Sequence, residues 1–184
     1  MILIQPVNFD SVQNLVSIGN ELKNFFHANV IIAKPIRMPN NYQHQNDVYD
    51  ETYSADSLIH LLSKLTNDSV VEVIGITNKN IYVPKEFKFQ LNNKENKYLL
   101  ADNIFGLGYV GGKACIISDS RLASTDTALY FNRMRKVILH EMGHNLGLAH
   151  CINDSCIMSE SNGNITTLNK PGGDFCEKCK RKLH

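Results

Sequence analysis

The stretch HEMGHNLGLAHC, which begins at His140 and ends at Cys151, constrains this chain more than any other part of it. His140 and His144 stand four residues apart, which puts both imidazoles on one face of a helix of 3.6 residues per turn. Gly147 can end that helix with a positive φ, because no Cβ resists the left-handed conformation. The chain can then turn back and bring His150 to the same point. Glu141, beside the first histidine, is placed to act as a general base. The pattern H-E-x-x-H-x-x-G-x-x-H is that of a zinc site with three protein ligands and a fourth position open to water. A helix that only looks like a metal site is the competing reading, and five matched positions weigh against it.

A chain of 184 residues is enough for one domain with a sizeable core and too short for two ordinary ones. A net charge of +1 argues against a dedicated nucleic-acid binder, which needs a strongly basic face. The one basic cluster, Lys178, Lys180, Arg181, Lys182 and His184, reads as a solvated tail. No apolar run approaches the ~20 residues that span a bilayer, so no membrane partner is expected. The opening MILIQPVNFD lacks a basic n-region and does not read as a signal peptide. The expectation is a cytoplasmic monomer whose five cysteines are reduced.

Residues 2–7 form a short apolar, β-rich run, the first predicted strand. Residues 10–26 carry Val12, Leu15, Val16, Ile18, Leu22 and Phe25 at near-helical spacing, with Asp10 or Ser11 available as a cap. A strand is predicted over 30–36, a loop over 38–53, a helix over 54–65 capped by Ser54, and a strand over 70–77. Residues 78–102 are polar and lysine-rich and read as a long surface excursion, followed by two short strands at 104–108 and 114–118. The motif helix is predicted to begin near Thr125 or Asp126 and to bury Met134, Ile138 and Met142. Alternating strands and helices with short links imply an α/β fold, a mixed and mostly parallel five-stranded sheet with helices packed on it. A single catalytic domain is expected. Residues 1–147 would supply the sheet and the active-site helix, and 148–184 a small C-terminal part. Gly106, Gly108 and Gly111 match the dinucleotide fingerprint G-x-G-x-x-G, but a strand follows them where a helix is required. A glycine-rich turn between strands is the better reading.

Cys151, Cys156, Cys176 and Cys179 give C-x₄-C followed by C-x₂-C, spacing that suits a tetrahedral structural zinc. Two disulfides or four unconnected thiols are the alternatives, and a reducing compartment weakens the first. A metal there could fold a tail with little apolar content of its own, and Cys151 would couple that metal to the neighbouring His150. Cys115 stands apart in an apolar strand and reads as a small core residue.

The combined string closely resembles the archaemetzincins, a metzincin-type family of zinc metallopeptidases. The family signature runs H-E-x-x-H-x-x-G-x-x-H-C, a cysteine after four residues, then x-M, seventeen residues and C-x-x-C. Every spacing matches through Cys156, Met158, Cys176 and Cys179. The resemblance implies two Zn²⁺ per chain. The catalytic one would be held by His140, His144 and His150, with Glu141 as general base and acid. The structural one would be held by Cys151, Cys156, Cys176 and Cys179. It also implies that Met158 is a Met-turn residue forming a thioether floor beneath the metal, where sequence alone suggests an ordinary core methionine. Ile104, Phe105, Gly106, Leu107 and Gly108 would be the edge strand that pairs with extended substrate. Some metzincins carry an oxyanion-stabilising tyrosine two residues past the methionine; here that position is Glu160.

The expected function is hydrolysis of peptide bonds by a zinc-held water activated by Glu141, and the family resemblance implies aminopeptidase-like cleavage. The alternatives are a zinc-stabilised module that binds peptides with little or no cleavage, against which the intact Glu141 argues, and a nucleic-acid binder using the cysteines as a zinc knuckle.

Overall fold

The structure, a computed structural model, describes residues 1–9, 12–39, 43–46, 49–91, 94–161 and 163–183. Its central sheet is built from β1 (Ile2–Pro6), β2 (Val30–Ile32), β5 (Glu72–Thr77), β8 (Gly106–Gly108) and β9 (Ala114–Ser118), in the order β2-β1-β5-β9-β8. The first four strands are parallel and β8 pairs antiparallel to β9 at the edge. This is the predicted mixed, mostly parallel five-stranded sheet.

Side chains alternate across each strand, so the sheet has two apolar faces. Ile2, Ile4, Ile74, Ile76, Cys115 and Ile117 join a core with helices α1 (Val12–Phe26) and α3 (Thr127–Asn145). Val73, Ala114 and Ile116 face the other way, toward α2 (Ala55–Ser63), which contributes Leu58, Ile59 and Leu62. Two faces covered by helices explain why these strands read as unbroken apolar runs.

The helices start where their caps dictate. Ser54 Oγ accepts from the Ser57 N–H at 3.3 Å and opens α2. The Asp126 carboxylate accepts from Ala128 N–H at 2.9 Å and Leu129 N–H at 3.2 Å and opens α3, as expected. Met134, Ile138 and Met142 are buried along α3. The candidate caps of α1, Asp10 and Ser11, lie outside the described residues.

Four sequence expectations are corrected. The strand at 30–36 stops at Ile32, with only an isolated bridge between Ile36 and Val7 beyond it. The loop expected over 38–53 contains β3 (Gln43–Asn46) and β4 (Tyr49–Ser54). The excursion over 78–102 is a hairpin, β6 (Asn80–Leu91) and β7 (Lys94–Ile104), paired from Ile81↔Ile104 to Leu91↔Lys94. These strands form a second sheet, order β3-β4-β6-β7. High polarity hid a period-2 pattern, Ile81, Val83, Phe87, Phe89 and Leu91, interrupted at Lys85. Ile104 therefore closes β7, and the edge strand proper is shorter than residues 104–108.

The C-terminal segment has α4 (Ile165–Leu168) and α5 (Glu177–Lys180) and, among the described residues, no separate core. Cys156, Ile157, Met158, Leu168, Phe175 and Cys179 are buried in the same cluster as Ile4 and Ile74.

Candidate active site and metal centres

Helix α3 ends in a Schellman motif. The Gly147 N–H donates to His144 O at 2.8 Å, and the Leu148 N–H donates to Gly143 O at 2.9 Å. Gly147 takes φ +93°, a conformation that resists any Cβ. The reversal returns His150 to the helix face that carries His140 and His144.

The ligand-capable nitrogens of the three histidines lie within 4.8 Å of one another, and Nε2 of His140 is 3.1 Å from Nε2 of His144. Tetrahedral zinc with Zn–N near 2.0–2.1 Å calls for N···N spacings of about 3.3 Å, so the cluster fits that metal. Each helix imidazole is oriented by its other nitrogen. His140 Nδ1 donates to Ile157 O at 2.7 Å and His144 Nδ1 donates to Leu148 O at 2.8 Å, which leaves both Nε2 lone pairs aimed at the shared point. Burial pushes His140 down to about 4, against the opposing pull of the Ile157 carbonyl, and it lowers His144 as well. Both rings are thus neutral near pH 7, the form that ligates metal.

Glu141 is buried beside this cluster. Burial raises its carboxyl to about 8, while a hydrogen bond from the Gly108 N–H favours the carboxylate. A dication nearby would favour the carboxylate further. Strand β8 can come this close because it carries glycines. A Cβ on Gly106 would stand 2.8 Å from Glu141 Cγ, and one on Gly108 would stand 2.5 Å from Glu141 O. The false dinucleotide fingerprint is thus a strand–turn–strand whose glycines admit the active-site helix.

Met158 is fully buried, and its Sδ would stand 2.3 Å from a Cβ on Gly143, in the turn of helix between Glu141 and His144. The Met158 carbonyl accepts from the Cys151 N–H at 2.8 Å, which ties the chain after His150 to this turn. The expected site residues His140, Glu141, His144, His150 and Met158 are therefore gathered in one place.

The four cysteine sulfurs form a second cluster, also within 4.8 Å of one another. Cys151 and Cys176 sulfurs are 3.8 Å apart, as are those of Cys156 and Cys179. A disulfide needs about 2.05 Å, whereas the edges of a ZnS₄ tetrahedron with 2.3 Å bonds are about 3.8 Å. The second value matches. Cys176 stands at the N-cap position of α5, and the neighbouring backbone N–H of Cys179 is the main cause that pulls its thiol down to about 6. Cys115 is buried in β9, as expected for a core residue.

A cleft of about 700 Å³ runs over the histidine cluster, between β8 and the segment after Met158. Helix α3 lines it with Lys136, Val137, His140, Glu141 and His144, a single stripe of the helix. Glu160 also lines the cleft. Sequence reasoning missed three contributors. Gly143 makes room for Met158, the buried Lys136 sits one turn before His140, and Asn145 Nδ2 donates to the buried Glu72 Oε1 at the end of the helix. The i−4 spacing of Lys136 from His140 was the available signal for the second. No sequence signal pairs residues 72 and 145.

Fold, cleft and histidine triad together define a zinc metallopeptidase. The sequence model of Peptidase family M54 matches residues 7–184, and the chain belongs to that family, the archaemetzincins. The archaemetzincin of Pyrococcus abyssi is 31% identical over 192 residues, covering 100% of this chain and 94% of that one. That of Archaeoglobus fulgidus is 27% identical over 186 residues, covering 99% and 98%. The crystal structure of the A. fulgidus protein complexed with malonate superposes with a TM-score of 0.76 at 26% identity, over 98% of both chains. The archaemetzincin of Methanopyrus kandleri shares the fold, with a TM-score of 0.76 at 23% identity over 100% of this chain and 93% of that one.

Proposed function

We propose that the chain hydrolyses peptide bonds with Glu141 as general base and acid, in a cleft whose zinc is held by His140, His144 and His150. The observation that carries this is the seating of Glu141: buried against the triad, with Gly108 N–H fixing its carboxylate. Zinc held there would supply a Lewis acid, able to polarise a scissile carbonyl and to make water a competent nucleophile near neutral pH.

Glu141 accepts a proton from the attacking water and passes it to the leaving amine. Gly108 N–H keeps the carboxylate oriented through both transfers. His140 and His144, locked by carbonyls on Nδ1, need no proton release and no rotamer search to present Nε2. The outer edge of β8 lies along the cleft, and substrate adds to it as an extended strand, with Ile104, Phe105, Gly106, Leu107 and Gly108 forming that wall.

The second zinc belongs to Cys151, Cys156, Cys176 and Cys179 and is structural, which makes two zinc ions per chain. The 3.8 Å sulfur spacings support this set. The chain works as one catalytic domain of 1–184, because the C-terminal residues share the core of the sheet. The remaining parts of the reading are aminopeptidase-like cleavage, a cytoplasmic monomer and no nucleic-acid partner. They rest on the family relationship, on the near-neutral charge, and on the absence among the described residues of a helix long and apolar enough to cross a membrane.

The test separates base from ligands. Glu141→Ala is expected to retain two zinc ions by elemental analysis and lose peptide turnover by several orders of magnitude; undiminished turnover would remove Glu141 from the mechanism. A peptide library with free and N-acetylated termini, read by mass spectrometry, decides aminopeptidase against endopeptidase cleavage.

A further inference from the structure

Lys136 is the one cation on the α3 stripe that lines the cleft, four residues before His140 and thus one helical turn from the triad. It is 5% exposed. Lysines are seldom this buried without an anionic partner. Yet among the described residues no carboxylate pairs with its ammonium; Nζ donates instead to the carbonyls of Leu168, at 2.9 Å, and Lys170. Two neutral acceptors occupy two of its three N–H donors and leave the charge uncompensated. Leu168 and Lys170 line the same cleft, so the charge sits in the cleft wall. Neighbouring Arg135, by contrast, is neutralised by Glu21 at 2.5 Å.

The direction of substrate follows from β8. Gly106 lies against Val137 and Glu141, and Gly108 against Glu141 and Asn145, so β8 runs alongside α3 in the same sense. Lys136 therefore lies beyond the Gly106 end. Antiparallel addition to β8, the slightly more stable ladder, sends a substrate's C-terminal part toward that end.

The geometry points to Lys136 as a specificity-determining residue that binds a carboxylate on the leaving-group side of the scissile bond, within the first residue past it. This rests on the peptidase reading above. The carboxylate can come from an acidic side chain or from the C-terminus of a short substrate. One of its oxygens would accept the ammonium's third hydrogen bond, and its charge would neutralise the ammonium, a charge-assisted contact about twice as strong as a neutral one.

Two peptide pairs test this on the zinc-loaded chain. One carries Glu or Gln just past the cleaved bond, with an amidated C-terminus; the other has a neutral residue there that ends in a free or an amidated carboxyl. At least one acidic member is expected to show kcat/KM about tenfold above its neutral twin. Lys136→Met, which keeps the stem, should bring that ratio to near one, and Lys136→Arg should keep it. A purely structural clamp would lower both members equally and leave the ratio alone. Equal rates for both pairs in the wild type, an unchanged ratio in Lys136→Met, or an acid preference on the acyl side would overturn the assignment. Equilibrium titration of zinc-loaded Glu141→Ala with the same peptides reads the preference without turnover and without disturbing Lys136. Binding biased toward carboxylate with no cleavage by the wild type would sink the peptidase reading and spare this one; unbiased binding and cleavage would do the reverse.

Discussion

The backbone N–H of Gly108, the last residue of the edge strand, donates to the carboxylate of Glu141 on the helix of the histidine triad. One wall of the cleft thereby holds the carboxylate proposed as its base, and a Cβ at position 108 would crowd the helix that carries it.

Gly108→Ala should accordingly damage the site without touching a metal ligand. Its Cβ would fall 2.5 Å from Glu141 O and 3.1 Å from Asn145 Oδ1, so strand and helix must separate. Overpacking of this kind costs about 1–3 kcal/mol, and turnover should fall by about tenfold or more. Zinc content by elemental analysis should stay at the wild-type value while kcat drops; loss of metal instead would place the damage in the triad.

Two other glycines of the motif are needed for different reasons, and one residue type tells them apart. Gly143 is sterically required, because a Cβ there overlaps Met158 Sδ and comes within 3.0 Å of Phe175. Gly147 has open space around it but φ +93°. Asparagine tolerates the left-handed region better than alanine does. At position 147, Asn should recover part of the roughly 1 kcal/mol that Ala costs; at 143, Asn should be worse than Ala. Thermal melting of the four variants settles the comparison.

Stability should depend on pH through Glu72. Burial raises its carboxyl from 4.5 to about 7, against the opposing hydrogen bond from Asn145. Between those two values the folded chain holds a proton that the unfolded chain has released, so stability falls as pH rises through that window. Glu72→Gln cannot ionise and keeps an acceptor for Asn145. At pH 8 it should be more stable than the wild type by about 1–3 kcal/mol, with the advantage shrinking toward pH 5. Denaturant unfolding of both proteins across pH 5–8 measures this; parallel curves would mean that Glu72 does not titrate in the folded protein.

If the four cysteines hold the structural zinc proposed above, Cys179→Ser should remove it and weaken the catalytic site with it. Cys151 follows His150 directly, and its N–H is bonded to the Met158 carbonyl at 2.8 Å, so loosening the sulfur cluster loosens the third histidine. Expected are one equivalent of zinc, a lower melting temperature and much reduced turnover. Full activity with one zinc would separate the two centres.

Much of this molecule was legible in its sequence. The helix of the triad announced itself by a four-residue spacing, its start by Asp126 and its end by Gly147, all local signals that a helix reads within a turn or two of chain. The parallel strands were legible as apolar runs because both faces of their sheet are covered. The hairpin of β6 and β7 was not, because a polar average over residues 78–102 masked a period-2 alternation, and Pro84 stands within it.

What the sequence determined by itself is the chemistry: which imidazoles, thiols and carboxylate are available, and at what spacing along the chain. Ligand spacing is local, so it survives without knowledge of the fold. Tertiary structure alone decided what surrounds them. It set Gly108 against Glu141 across 33 positions, Asn145 against Glu72 across 73, and the carbonyls of Leu168 and Lys170 against Lys136. Contacts between residues so far apart in the chain depend on how sheet, helix and C-terminal segment pack around one core, and no local periodicity encodes that packing.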